Sequence, residues 1–393
     1  MGENETRERR LLGWLKLARC AALGARGAWA LAERVDIERL GSAQASLADA
    51  SYAGAPPELF GPELHKAVGG EVVAAQRSGW TFVTLDSPEY PALLHHLRHP
   101  PLVLCVRGDV ATLRRNAIAV VGSRHASGYG LRMAAELTGP LAAAGFVVVS
   151  GLATGIDEAA HRAALDAGGA TIAVMGTGPD RIYPAQHRRL AQAIAGNGAL
   201  VTEFPPGAAP LPRHFPRRNR IIAGLSDAVV VVEATPKSGS LITVDWALEL
   251  GRPVLAVPGR AGEPLSEGAL SLIRDGAALA CSPEDVVFEL PAWRRPDTPL
   301  PTHPGEGRTA IETESESPDG APPGWPVDPE AALVLEVFPK DDELHVDEVL
   351  ARTGRPTERV LAALFTLQLT GLLKALPGGH FRRTPTGGAK LAV

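Results

Sequence analysis

Lysine is nearly missing from this 393-residue chain: of 39 basic residues only 6 are Lys, which leaves 33 Arg. The imbalance fits a GC-rich coding sequence, so the total carries no message, although Arg is the side chain suited to bidentate phosphate contact. Cysteine is scarce as well. Cys20, Cys105 and Cys281 stand far apart, without metal-ligand spacing or even pairs, which excludes a disulfide framework and a zinc module. They are expected to be buried small hydrophobes, and no metal site is expected. No apolar run approaches the ~18 residues needed to cross a bilayer, and MGENETRERR is no secretory leader. A cytoplasmic protein with no membrane partner is therefore expected. Two phosphate signatures are absent too. There is no Gly-x-x-x-x-Gly-Lys-Ser/Thr, so ATP hydrolysis is not indicated, and the first glycine turn is not Gly-x-Gly-x-x-Gly, which weakens a nicotinamide reading. No cofactor is expected.

What is present describes a globular protein of two or three domains, with 45% hydrophobic and 21% charged residues. The net charge of −5 excludes a protein that is basic all over. Nucleic-acid binding survives that exclusion, because it depends on clustering on one face.

Residues 11–75 carry apolar side chains at three- and four-residue steps, broken near Gly24 and Gly27, and predict a small helical module over 1–78. Its texture is that of helix-hairpin-helix or sterile-alpha-motif-like modules. The texture then changes. PLVLCVRGD, AIAVVG, FVVVSG, TIAVMGTG, ALVTEF, AVVVVEA and PVLAVPG are Val-rich runs separated by helical patterns at Tyr129–Ala144, Ile156–Asp166, Gln186–Ala195, Arg217–Leu225 and Leu241–Leu250. Runs apolar on both faces alternating with helices imply an α/β, doubly wound parallel sheet over 79–290. Residues 291–327 hold nine prolines and scattered acids, among them Glu306, Glu312, Glu314 and Glu316, and read as a linker. Over 328–393, three helical patterns and a hairpin around Gly378-Gly379 give the winged-helix order, with Pro356–Thr370 in the recognition position and Arg382-Arg383 on the wing. Winged helices bind DNA or protein. That third helix has Arg359 as its only interior base, which weighs against DNA.

The organising stretch is Ala117–Gly130, AIAVVGSRHASGYG: strand, glycine turn, helix. Such a turn points backbone N–H groups and a helix dipole at an anion, and Arg124 sits inside it. Ligands bind beyond the carboxyl ends of parallel strands, and here six successive ends carry glycine- or Arg-rich loops. Together they describe one groove lined with backbone donors. Ser150–Gly155 adds Gly151 and Thr154, the latter as the expected helix start, with Asp157 in a capping role and His161 structural. PLPRHFPRRNR supplies Arg213, Arg217, Arg218 and Arg220 with no acid, and His214 and Phe215 interleaved. Cations beside an aromatic face suit single strands, at ~1–3 kcal/mol per stacked base. Asn219, Arg220 or both could instead brace the loop. Lys237, Ser238, Gly239 and Ser240 precede the next helix and suit an anion again. The expected ligand is single-stranded nucleic acid, held by its phosphates.

These motifs, GSRHASGYG, SGLATGIDEAAHRAAL, VMGTGPDRIYP, HFPRRNRIIAGLSDAVVVVEA and KSGSLITVDWALELGRPVLAVPG, resemble the DprA/Smf family of DNA-processing proteins over about residues 118–259. The resemblance implies a Rossmann-like core with a helical N-terminal module and a C-terminal winged-helix domain. It also implies binding of single-stranded DNA, homodimers, and loading of the RecA recombinase during natural transformation, with no catalytic residue. On that pattern Gly122, Ser123 and Arg124 form a phosphate-gripping turn. Phe215, Arg218, Asn219 and Arg220 line the DNA pocket, and Lys237, Ser238, Gly239 and Ser240 form its opposite wall. The rival is a nucleotide-processing enzyme of the phosphoribohydrolase type, with Glu233 at the relevant strand end. Its Pro-Gly-Gly-x-Gly-Thr-x-x-Glu signature is missing.

Overall fold

The structure, a computed structural model, describes residues 3–42, 45, 52, 54–295, 300, 329–338, 343–369, 372–376 and 380–383. Most of the Pro-rich stretch and the Gly378-Gly379 turn lie outside the described residues. By internal contacts the chain divides into two compact units, Met1–Glu306 and Gly307–Val393.

The first unit opens with four helices, α1 (Glu3–Arg19), α2 (Gly24–Ala32), α3 (Ile37–Gly41) and α4 (Pro62–Arg77). The break falls at Gly24, whose φ of +60° suits glycine, while Gly27 lies inside α2. Trp14, Leu15, Leu17, Leu40, Leu59 and Val72 form the module's core, and that core runs on into Leu102 and Val103 of the neighbouring layer. Arg19 crosses the same junction, paired with Glu71 at 2.8 Å and donating to the Glu203 carbonyl at 3.0 Å.

The sheet has nine strands: β1 (Thr81–Thr84), β2 (Val103–Gly108), β3 (Ala117–Val121), β4 (Val147–Ser150), β5 (Thr171–Val174), β6 (Ala199–Thr202), β7 (Ala228–Val231), β8 (Val254–Ala256) and β9 (Ala278–Leu279). Their order is β1-β2-β6-β5-β4-β3-β7-β8-β9. From β6 to β9 every pairing is parallel. The PLVLCVRGD run is the exception: β2 pairs antiparallel with both β1 and β6, so two antiparallel strands extend the parallel core. No crossover helix joins β1 to β2, which is why they run against each other.

Helices α5 (Gly128–Ala143), α6 (Ile156–Asp166), α7 (Arg188–Asn197), α8 (His214–Leu225), α9 (Leu241–Glu249), α10 (Pro264–Arg274) and α11 (Pro283–Glu289) complete the unit. Alternation along the strands explains the two covered faces. Ile118 and Val120 pack with Leu137, Leu141, Ile156 and Ala160 of α5 and α6. Ala119 and Val121 pack instead with Ile221, Ile222 and Val244 of α8 and α9. Each such side chain is worth about 1.5–3 kcal/mol when fully buried. The chain builds outward from β3 through β4, β5 and β6, then crosses back through α8 to β7 on the other side of β3. That reversal opens a crevice at the carboxyl ends of β3 and β7.

The second unit contains α12 (Pro329–Glu336), β10 (Glu343–His345), α13 (Val346–Thr353), α14 (Thr357–Leu369), β11 (Leu373–Leu376) and β12 (His380–Arg383). The three strands form an antiparallel sheet in the order β10-β12-β11 around a core that includes Val334, Leu344, Val349, Leu364 and Leu373. This is the winged-helix arrangement, with a short strand added between its first two helices. On α14, Leu361 and Phe365 are 48% and 62% exposed, one turn apart.

Candidate functional site

At the end of β3 the backbone turns through Gly122-Ser123-Arg124. The Ser123 carbonyl accepts from the Ile156 N–H at 3.1 Å, and the Arg124 carbonyl accepts from the Thr154 hydroxyl at 3.2 Å. Thr154 is therefore a staple between two loops and not the cap of α6, whose N-cap is Gly155. The Arg124 side chain is exposed and makes no ion pair with a described residue. Its guanidinium carbon sits 5.2 Å from the Phe215 ring centroid, within cation–π range. Phe215 is half-buried and in turn contacts Tyr183, ring centroids 5.8 Å apart. These groups line a cleft of about 540 Å³ in the crevice between β3 and β7.

The N-terminus of α5 is already taken. Its cap is Ser127, and the Glu233 carboxylate, at the end of β7, accepts from the Ser127 N–H at 2.9 Å and the Ser127 hydroxyl at 2.5 Å. Gly130 makes room for it, since a Cβ there would lie 2.4 Å from the Glu233 carboxylate carbon. The dipole site that this helix end was expected to offer an external phosphate is thus filled by an internal carboxylate. What the turn leaves to the cleft is Arg124 and the Gly122–Ser123 backbone.

Beneath the cleft lies a buried charge cluster. Asp157 accepts from the N–H groups of Gly151 at 3.1 Å and Ala153 at 3.3 Å, so it braces the loop before its own helix. Burial pushes its carboxyl upward, against the pull of Arg218 and those two donors. Arg218 is itself 4% exposed and donates to the Val174 carbonyl. Burial lowers its guanidinium to about 10, Asp157 opposing and Arg124 assisting, so it stays charged at neutral pH. Gly151 does not face the cleft; a Cβ on it would stand 1.9 Å from Arg218 Nη1. His161 is buried with Nδ1 2.7 Å from the Thr171 hydroxyl. That hydroxyl donates to the Val148 carbonyl, so it accepts from His161, whose proton is on Nδ1. Burial, then Arg218, lowers His161 to about 3. It is a neutral core histidine.

The Arg-rich segment is helix from His214, three residues before the sequence pattern suggested, and the helical repeat divides its arginines. Phe215, Arg218, Asn219 and Ile222, at steps of three and four, face the cleft. Arg217 and Arg220 face away and both pair with Glu203, Arg217 at 3.1 Å and Arg220 at 2.5 Å. His214 goes with them, stacked on Phe204 at 4.3 Å. Arg213 is exposed at the helix start, with no partner among the described residues. Of the four arginines expected at the ligand, Arg217 and Arg220 belong to the far side of α8, and Arg220 takes the bracing alternative, on Glu203.

The opposite wall is the 235–243 loop. Ser238 and Gly239 line the cleft, and the Asn219 amide holds the Gly239 carbonyl at 3.0 Å, so Asn219 is the brace. The Ser238 and Ser240 hydroxyls lie 2.7 Å apart. Lys237 is exposed beside this wall without lining the cleft. Tyr183 is the aromatic lining residue that sequence reasoning missed, beside smaller ones such as Thr235 and Thr243. It lies in the GTGPDRIYP loop, and its aromatic ring was the available signal. No group of three or more His, Cys, Asp or Glu among the described residues could hold a metal ion.

The chain matches the family model described as DNA recombination-mediator protein A over residues 81–291, and that of the DprA winged helix domain over 316–379. Protein Smf of Escherichia coli K12 is 42% identical over 304 residues, which are 76% of this chain and 76% of the relative. The DNA processing protein DprA of Streptococcus pneumoniae is 46% identical over 200 residues, 51% of this chain and 71% of the relative. An X-ray structure of DNA processing protein A from Streptococcus pneumoniae superposes with a TM-score of 0.56 at 34% identity, covering 73% of this chain and 96% of that one.

Proposed function

The chain belongs to the DNA recombination-mediator protein A family, DprA/Smf, and from that premise we propose that its cleft holds single-stranded DNA without sequence preference, as a non-catalytic mediator that loads RecA onto the strand. One observation carries the reading. Arg124, exposed and unpaired, lies over the Phe215 ring at the mouth of the switch-point crevice, with Tyr183 beside it. A cation for the phosphate next to an aromatic face for the base is how single strands are gripped irrespective of sequence. The remaining lining adds the Gly122–Ser123 turn and the Ser238–Gly239 wall. Arg218, charged beside Asp157, forms part of the cleft floor.

Arg124→Ala is expected to weaken an oligo-dT by roughly 1.5–3 kcal/mol, the range of a charge-assisted hydrogen bond, with the melting curve unchanged because the side chain is exposed. Fluorescence anisotropy measures it, and equal affinities would remove Arg124 from the site. The phosphoribohydrolase reading needs a free carboxylate, whereas that of Glu233 is buried and held by Ser127. Release of adenine from AMP would restore that reading. For the homodimer, Leu248 and Leu279, exposed by 62% and 51% between Leu241 and Leu290, are the apolar positions a second copy would cover. Charges placed there should yield monomers in sedimentation.

A further inference from the structure

The far face of α8 borders a second concavity, a groove of about 680 Å³ between the helical module and the sheet domain. Five arginines line it, namely Arg19, Arg26, Arg98, Arg217 and Arg220. Three are engaged internally: Arg19 by Glu71, and Arg217 and Arg220 by Glu203. Arg26 on α2 and Arg98 before β2 are not. Both are exposed, and neither has a hydrogen bond or ion pair with a described residue. Against the five stand Glu71, Glu203 and Glu249, so the groove keeps a positive excess. Two half-buried indoles, Trp29 on α2 and Trp246 on α9, are set in its walls.

We infer that this groove is a second segment of the single-strand path: a strand leaving the cleft passes over α8 and lies along Arg26 and Arg98, with Trp29 and Trp246 as apolar walls for its bases. The inference rests on the reading of the cleft given above. A nucleic acid fits better than an acidic peptide because of continuity. One helix, ~10–12 Å across, is a wall of both concavities, through Phe215 and Arg218 on one side and Arg217 and Arg220 on the other. Arg213 and Arg217 are exposed along it. A polyanion held at Arg124 therefore meets further cations at short intervals in the direction of the groove. The module's role is then to lengthen the binding site of the sheet domain.

The experiment compares the full-length protein with the double variant Arg26→Ala/Arg98→Ala on two oligo-dT probes, one of about six nucleotides and one of about twenty, spanning the usual range of single-strand site sizes. Both side chains are exposed and unpaired, so the fold is expected to be unaffected. The longer probe should bind the variant roughly tenfold more weakly at low salt, and its log K against log salt slope should be shallower by about 1.4, from two lost contacts at ~0.7 each. The shorter probe should bind both proteins alike. Unchanged affinity and slope for the longer probe would overturn the inference, and so would an equal loss for both lengths. Arg124→Ala separates the two readings. If it weakens both lengths while the double variant weakens neither, the cleft stands and the groove falls; if it weakens neither, the cleft reading itself fails.

Discussion

Arg124 and Arg218 line the same cleft in opposite electrostatic settings, one exposed and unpaired, the other buried in the field of Asp157 and donating to the Val174 carbonyl. Arg218 could not sit there without the missing side chain at Gly151. Gly151→Ala puts a methyl group into the guanidinium, and displacing that packed group is expected to destabilise the protein by ~1–3 kcal/mol, read as a lower urea midpoint. His161 sets a pH dependence. Its folded value of about 3 lies below the ordinary 6.5 of the unfolded chain. At pH above the unfolded value neither state holds the proton, and the stability is fully present. As the pH falls below it, the unfolded chain takes up a proton that the fold refuses. Stability is then lost at up to about 1.4 kcal/mol per pH unit, until the folded value is reached. Urea titrations at about pH 7.5 and 5.5 should show this loss, and His161→Gln should reduce it. The residue types at these positions were legible in the sequence. Their opposite environments were not, because burial depends on which strands and loops enclose them.

At the scale of elements, α8 decides which cations can meet a ligand in the cleft. Read as helical only from Arg217, PLPRHFPRRNR offers four arginines and no acid to divide them. As a helix from His214 it splits, with Phe215, Arg218 and Asn219 toward the cleft and Arg217 and Arg220 toward Glu203. Arg217→Ala is accordingly expected to leave the affinity for a six-nucleotide oligo-dT within about twofold of wild type in anisotropy, where Arg124→Ala does not. The start of α5 holds a parallel lesson. Strand, glycine turn and helix do assemble as the pattern implies, yet a carboxylate from the end of β7, 106 residues on, fills the dipole site. No local pattern announces a partner so distant in the chain.

Over the whole molecule, two compact units divide the work. The first contains the cleft, the groove and the helical module, joined through the shared core at Leu102 and Val103 and through Arg19. A chain ending at residue 306 is therefore expected to melt in one cooperative transition and to bind a short oligo-dT as the full chain does; calorimetry and anisotropy check the two halves. In the second unit, exposed Leu361 and Phe365 on α14 present an apolar strip where a DNA-reading helix would present bases, in keeping with its single interior arginine.

Periodicity alone determined the doubly wound sheet, the helices between its strands, the winged-helix order and the loops that would form the site, because alternation of two and of three to four residues is local and repeats. The tertiary structure alone decided the antiparallel strands at one edge, the internal carboxylate at α5, the division of the arginines and the place of Tyr183. Those outcomes depend on which distant residues share a desolvated space. There, an opposing charge a few ångströms away decides whether an arginine is a brace or a hand held out to a polyanion.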